Sequence, residues 1–488
     1  MGPERSRRGS GGVSGVKKNI LYSVALAVAN YVFPFITYPY VSRVLGVTTI
    51  GICNFIDSVI NYFILFSMLG ISTVGIREIA RCGGDREKRS RVFSTLLLIN
   101  GICTLVALAV LIVLTFTVPK LAQYSQLCYV GAVKLVFNFL LVEWLYQGME
   151  DFRFITTRSV LVKTLYVAAV FLLVREADDY TVYYVLSAAI IVLNAAINFV
   201  FSRRFVRISF RKPDMRLFWK PVLILGVYAL LVSMYTTFNV AFLGFACTET
   251  DVGYYSSATK LFYIVLSLYT AFTNVLLPRM TSLLSEGDMA GFSRFLGKSR
   301  SVLLSFSFPL VVWSVIFAPA IIRLVSGPGY EGAIGPMRLI MPLLFVIGYE
   351  QILVLQILLP AGKDRRILVN SAIAALLAVL LNVLLVPTLR SVGSACVWMA
   401  AECLTLVLSQ LAVRPVVAFR FPFAQVGRYL LAYLPCVLGL VLLARLPLSF
   451  GPAFLLSAAG VGLYAAVLEL FVFKNEIYRT WLAARIHA

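Results

Sequence analysis

The chain has 488 residues, 60% of them hydrophobic and 13% charged, with a mean hydropathy of +0.90; an ordinary soluble domain is roughly 45–50% apolar. That excludes a water-soluble globular fold and points to repeated membrane spans, because a spanning helix needs about 20 mostly apolar residues and satisfies its own backbone internally. The formal net charge of +21 would indicate nucleic acid or an acidic partner in a soluble protein, so the position of the charges decides its meaning.

The N-terminal "MGPERSRRGSGGVSGVKK" is basic and Gly/Ser-rich, the composition of a disordered cytoplasmic tail over residues 1–18. The apolar run after it continues to Val41, well past the roughly 7–15 residues of a signal h-region, so it is a retained first span and the "ALA" at Ala25 to Ala27 is not a cleavage site. Candidate spans follow at 19–42, 50–71, 92–118, 125–146, 155–174, 181–201, 221–245, 254–277, 301–322, 338–360, 367–387, 393–413, 425–445 and 452–473, fourteen in all. The fold class expected is therefore an all-α integral membrane protein.

Alternating sides along these spans places roughly 32 Lys/Arg in one set of exposed segments and roughly 7 in the other, the inside-outside bias of membrane proteins. "RCGGDREKRSR", "SRRFVRISFRKPDMRLFWK" and "GKDRR" all fall on the inner side. The +21 is thus topology rather than a nucleic-acid footprint, and both termini are expected in the cytoplasm, residues 474–488 forming a second tail. The outer segments are short, and only 323–337 has room for more than a turn or two.

An internal repeat sets the organisation. "LGVTTIGICNFIDS" from Leu45 resembles "LGFACTETDVGYYSSATK" from Leu243, with Gly51 on Gly253, an offset that carries Arg77 onto Arg279. Both copies then reach Gly-Asp, at Gly84-Asp85 and Gly287-Asp288. The expected domains are a six-helix lobe at 19–202, a basic cytoplasmic linker at 203–220, a second six-helix lobe at 221–414, and two additional helices at 425–473. The copies share one orientation and are parallel repeats, between which transporters put their substrate path.

Charges inside spans are costly and usually face a bundle interior or a hydrated cavity. Here they are Asp57, Lys134, Glu143, Lys163, Lys260, Glu350 and Glu402, with Arg77, Arg158, Arg279 and Arg338 near helix ends. Lys134 and Lys163 are the deepest basic pair. Either they pair with Glu143 or Glu402 to hold helices together, or they make a cavity basic enough to admit an anion. Asn54, Asp57 and Asn61 share one helix face, matched in the second copy by Ser256, Thr259 and Tyr263 with Lys260 alongside. The alternative to paired cavity walls is ordinary interhelical hydrogen bonding. Pro34 and Pro39 interrupt the first span and are candidate gating kinks, packing being the other reason for proline in membrane helices.

Other chemistries fall away. The eight cysteines contain no C-x-x-C pair, and His487, the only histidine, is next to the last residue, so no metal site is expected. Gly297-Lys298-Ser299 resembles the end of a phosphate-binding loop, but the position requiring glycine is Phe292. Asp178-Asp179 lies on the outer side and reads as a solvated turn.

Three stretches, "LGVTTIGICNFIDSVINYFILFSMLGISTVGIREIA", "VEWLYQGMEDFRFITTRSVLVK" and "VGYYSSATKLFYIVLSLYTAFTNVLLPRM", resemble the Wzx-type polysaccharide repeat-unit flippases over nearly the whole chain. The resemblance implies a fold like the multidrug and toxin extruders and the lipid II flippases, two six-helix lobes plus two C-terminal helices. It implies a substrate, a polyprenyl-diphosphate-linked oligosaccharide moved from the inner to the outer leaflet of a bacterial cytoplasmic membrane by alternating access, with no bond made or broken. It further implies a polysaccharide polymerase and a chain-length regulator as partners, no cofactor and no nucleic acid, with coupling to an ion gradient left open. Arg77 and Arg279 are then candidates for the anionic headgroup, since arginine's fork matches phosphate oxygens. Asn54, Asn61, Gln351 and Gln356 would serve sugar hydroxyls. The competing readings are an extruder-type drug or cation exporter, which the deep lysines disfavour, a flippase for another lipid-linked saccharide such as lipid II, and a membrane polymerase, which should show a large outer loop.

Overall fold

The computed structural model describes residues 11–209, 214–446 and 450–475. The first ten residues of the expected tail, part of the expected linker, and the C-terminal segment carrying His487 lie outside them. Among the described residues every regular element is helical. The chain divides into two compact units, Met1–Phe245 and Ala246–Ala488.

Unit 1 contains α1 (Gly11–Met68), α2 (Ile71–Cys82), α3 (Arg86–Thr117), α4 (Pro119–Gln123), α5 (Ser125–Phe139), α6 (Glu143–Gly148), α7 (Phe152–Leu173), α8 (Tyr180–Ser202), α9 (Met215–Thr236) and most of α10 (Phe238–Ala246). The 58-residue α1 holds the first two spans, separated by Gly46, whose φ of 76° and ψ of 172° no L-residue adopts readily. Helical dihedrals continue through Pro34 and Pro39. The helix begins at Gly11, ahead of the expected start at 19.

Interhelical bonds fix the directions of the spans. Tyr22 and Tyr40 of α1 meet Thr156 and Val174 in that order, so the first span and α7 run parallel. Later in α1, Tyr62 donates to the Ser233 carbonyl at 3.0 Å, and the Gly70 N–H that follows donates to Val222 at 3.1 Å, so α9 runs antiparallel to the second span. Gly226 permits this approach, because a Cβ there would stand 2.8 Å from Leu69. The span expected to open the second lobe thus packs within unit 1. So does the start of the linker: Arg207 and Ser209 donate backbone N–H groups to Ser90 and Ser94 of α3, each at 2.9 Å.

Unit 2 contains α11 (Glu249–Ser285), α12 (Met289–Ile316), α13 (Ala318–Val325), α14 (Ile334–Ile340), α15 (Leu343–Gln351), a π-helical segment Ile352–Leu358, α16 (Asp364–Val413), α17 (Phe423–Arg445), α18 (Phe450–Val467) and a π turn, Leu468–Val472. The 50-residue α16 is a hairpin folded at Arg390 (φ 51°, ψ −129°). Gly393 lies against Leu385 and Asn370 reaches Ser409 at 3.4 Å, the pairing of antiparallel arms. Among the described residues, twelve helices are long and apolar enough to cross a membrane. Two of them, broken at Gly46 and Arg390, each carry two of the fourteen expected spans.

The repeated Gly-Asp proves to be a helix start in both copies. Asp85 accepts from the N–H groups of Glu87 and Lys88 at 3.0 Å, and Asp288 from Gly291 at 2.8 Å, each as an N-cap. Those backbone donors hold the Asp85 carboxyl below its usual range. Between repeat start and cap the copies differ. Leu69 (φ 42°) breaks the first between α1 and α2, whereas α11 runs unbroken.

Candidate functional site

The polar residues at membrane depth in unit 1 gather around a broken span. Helix α5 stops at Phe139, Val142 adopts a left-handed conformation (φ 33°, ψ 32°), and α6 restarts at Glu143. A break inside a membrane frees backbone groups that have no water to bond, so protein groups must satisfy them. Asn198 of α8 does so by donating its side-chain amide to the Leu141 carbonyl. Its own carbonyl accepts from the Tyr146 hydroxyl. Arg158 of α7, only 5% exposed, donates to Glu143 at 2.5 Å and to the Asn198 side-chain oxygen. One guanidinium and one amide thus tie α6, α7 and α8 together.

One helical face of α1 presents the second group. Lys134 of α5 donates to Asp57 at 2.6 Å, and Asn61 donates to the other carboxylate oxygen at 3.3 Å. The Lys134 ammonium lies 4.0 Å from the Tyr184 ring centroid, a placement attractive to a cation because the ring face is negative. Lys134 is buried while the Asp57 carboxylate is 40% exposed, so the pair is open on its acidic side. Asn54 is half-buried one turn earlier.

The third group is Lys163, half-buried on α7, which donates to the side-chain oxygen of Asn30, an exposed residue of α1. The pairing expected for the two deep lysines is therefore corrected. Lys134 takes Asp57 and Lys163 takes Asn30, while Glu143 is bonded to Arg158 and Glu402 to Trp398.

In unit 2, Glu402 is buried and accepts from the Trp398 indole N–H at 2.9 Å; the Glu350 side chain meets it within hydrogen-bonding reach. Gln351 donates to Thr270 at 2.9 Å. Gln356, in the π-helical segment, is 0% exposed, and its amide finds no partner among the described residues. Lys260 is half-buried on α11.

The two arginines aligned by the repeat stand in different settings. Arg77 is exposed on α2 and pairs with Glu78 at 2.9 Å, which Arg81 also reaches at 3.0 Å. Arg279 is exposed near the end of α11, with no hydrogen bond or ion pair among the described residues. Asp179 is a turn residue, accepting from the N–H groups of Arg175 and Glu176 at 2.8 and 3.0 Å, which hold its carboxyl below the usual range.

Sequence reading missed Asn30, Asn198, Tyr146 and Tyr184 as members of these groups. Asparagine inside an apolar span was the available signal for two of them, since a buried amide needs partners.

A family model described as "Polysaccharide biosynthesis protein" matches residues 16–284. A "Putative O-antigen transporter" of Escherichia coli (strain K12) is 24% identical over 404 residues, covering 82% of this chain and 97% of that protein. One of Shigella dysenteriae is 25% identical over 374 residues, covering 74% and 91%. Among solved structures, the lipid II flippase MurJ in an inward closed conformation superposes with a TM-score of 0.75 at 14% identity, over 94% of this chain and 100% of that one. An inward-facing multidrug resistance MATE family transporter gives 0.57 at 17% identity, over 81% and 94%. At such identities the likeness to these structures is one of fold. With more than half of its length matched by the family model, this multi-pass membrane chain belongs to the polysaccharide biosynthesis protein family.

Proposed function

We propose that the protein moves polyprenyl-diphosphate-linked oligosaccharide repeat units from the inner to the outer leaflet of the bacterial cytoplasmic membrane, by alternating access and without making or breaking a bond. Family membership and the names of the relatives support this reading, as does the extruder-like fold. The observation that carries it is the Lys163–Asn30 pair: a cation at membrane depth that hydrogen-bonds a neutral amide, whose neighbouring carboxylate Glu143 is already bonded to Arg158, and whose surroundings are partly open. A lysine serving only to join helices would be expected to take a carboxylate and be sealed, as Lys134 nearly is. An accessible ammonium that is hydrogen-bonded to no carboxylate among the described residues suits a diphosphate, while the neighbouring amides suit sugar hydroxyls.

In this reading both termini are cytoplasmic, a polysaccharide polymerase consumes the product, and a chain-length regulator acts with it. Arg77 and Arg279 would catch the headgroup at the inner surface. Energy comes from an ion gradient, for which the Glu350–Glu402 pair is the candidate.

The test is movement itself. Purified protein in vesicles with fluorescent lipid-linked oligosaccharide should make the substrate accessible at the opposite leaflet. Absence of protein-dependent movement, together with efflux of organic cations, would replace this reading with that of an extruder.

A further inference from the structure

Residues 359–369, where the π-helical segment gives way to α16, form a concave cationic rim. The chain turns tightly there: Gly362, at φ 65°, donates to Leu359 at 3.0 Å, and Lys363 donates back to Leu358 at 2.9 Å. The turn sets Lys363, Arg365 and Arg366 around a cavity of about 440 Å³, completed by Gly362 and Val369. That volume falls within the roughly 300–1,000 Å³ of small-ligand sites.

Three features distinguish this rim from ordinary basic decoration. Its three cations make no side-chain hydrogen bond, ion pair or ring contact among the described residues. Several cations elsewhere are engaged: Arg77 and Arg81 by Glu78, Lys88 by Asp85, Arg89 by the Phe205 carbonyl, and Arg300 by the Phe419 ring. The two halves of the repeat also diverge here. In unit 1 the corresponding loop places Asp151 at the N-cap of α7, where it accepts from Phe154 at 3.2 Å; in unit 2 the N-cap position of α16 holds Lys363 and no side chain caps it. Finally, an exposed apolar stripe starts in the cavity and runs up one face of α16 through Val369, Ile373, Leu376 and Leu380, spaced by one helical turn each.

We propose that this rim binds a phosphate or diphosphate headgroup carried by a membrane lipid. Three convergent cations demand several anionic oxygens, and two arginine forks can each grip a phosphate at two points. The stripe below supplies the lipid's path, because a chain esterified to the headgroup would lie along exposed apolar side chains rather than in water. A soluble anion would use the cations and leave the stripe unused. The placement at the cytoplasmic surface rests on the orientation adopted under Proposed function.

Binding can be read without transport. Full-length protein in nanodiscs of zwitterionic lipid is titrated with phosphatidylglycerol, with undecaprenyl diphosphate and with inorganic pyrophosphate, followed by native mass spectrometry. The variant is K363Q/R365Q/R366Q; the control, R153Q/R216Q/K220Q, removes the same charge from exposed positions of unit 1. The expected result is a loss of about tenfold or more in affinity for a phosphate-bearing lipid in the rim variant alone, as for lost charge-assisted bonds. Phosphatidylglycerol and undecaprenyl diphosphate identify which lipid is held. Equal losses in rim and control variants would reduce the effect to surface charge and overturn the proposal, as would unchanged lipid binding in the rim variant. Pyrophosphate binding as tightly as either lipid would overturn its lipid-borne part. Should the triple variant fail to fold, the single variants R365Q and R366Q are each expected to lose about threefold, and no loss in either overturns the site. A protein that binds here but moves no oligosaccharide would keep this inference and lose the proposed function.

Discussion

Arg158 and Glu143 meet at 2.5 Å across the break in the fourth span, and the same guanidinium reaches Asn198. The pair is at once a salt bridge and the closure of an interrupted helix. Removing one partner of a buried pair typically costs about 3–5 kcal/mol; the Glu143 left behind here is 34% exposed, which brings the cost below that range. Arg158→Met should still lower the thermal unfolding midpoint in detergent. Arg158→Lys should rescue it only partly, since a single ammonium cannot span Glu143 and Asn198 as the fork does. If Arg158→Lys matches the wild type, the bidentate closure is wrong.

Asp57 and Lys134 offer a contrast, because the pair is open on one side. Asp57→Asn leaves a buried ammonium with only the Tyr184 ring and neutral amides beside it. A clear drop in folded yield is expected. The double variant D57N/K134M should recover most of that loss, since replacing both charges removes the stranded one. A double variant worse than the single would show that Lys134 has a role beyond the pair.

Close helix approach in unit 1 depends on Gly75. A Cβ there would stand 2.4 Å from the Trp144 ring, which is itself 2% exposed and tilted against Phe93. Gly75→Val should destabilise the packing of α2 on α6 by about 1–3 kcal/mol, the usual penalty of overpacking. Gly84→Ala, where a Cβ meets nothing within 4 Å, is the matched control and should leave the unfolding midpoint nearly unchanged.

The transport reading makes a separate claim on Lys163, Arg77 and Arg279. In cells, Lys163→Ala, Arg77→Ala and Arg279→Ala should each reduce surface polysaccharide at normal protein levels. Lys163→Arg should retain most of it. Unchanged polymer yield in any one of them removes that residue from the site.

Much of the architecture was legible in the sequence for one physical reason. A bilayer imposes a length and a composition on every span, so apolar runs and the Lys/Arg bias report topology directly. The Gly-Asp that recurs in the sequence is a capping device in both units, at Asp85 and Asp288, though Asp288 stands one residue further from Gly253 than its counterpart does from Gly51. The break at Leu140–Val142 was not legible, because nothing in "FNFLLVEWL" marks a helix end: no proline or glycine is present, and the interruption is stabilised by Asn198 and Arg158 from other helices.

The sequence by itself determined that this chain is helical and crosses a membrane many times. Those properties depend on composition and period, which are local. Only the tertiary structure decided which charge meets which. Lys134 faces Asp57, Arg158 takes Glu143, Lys163 is left to an amide, and Lys363, Arg365 and Arg366 converge on a cavity. Such pairings depend on the rotation of each helix about its own axis and on where it is interrupted, quantities set by packing against neighbours rather than by any one span's own sequence.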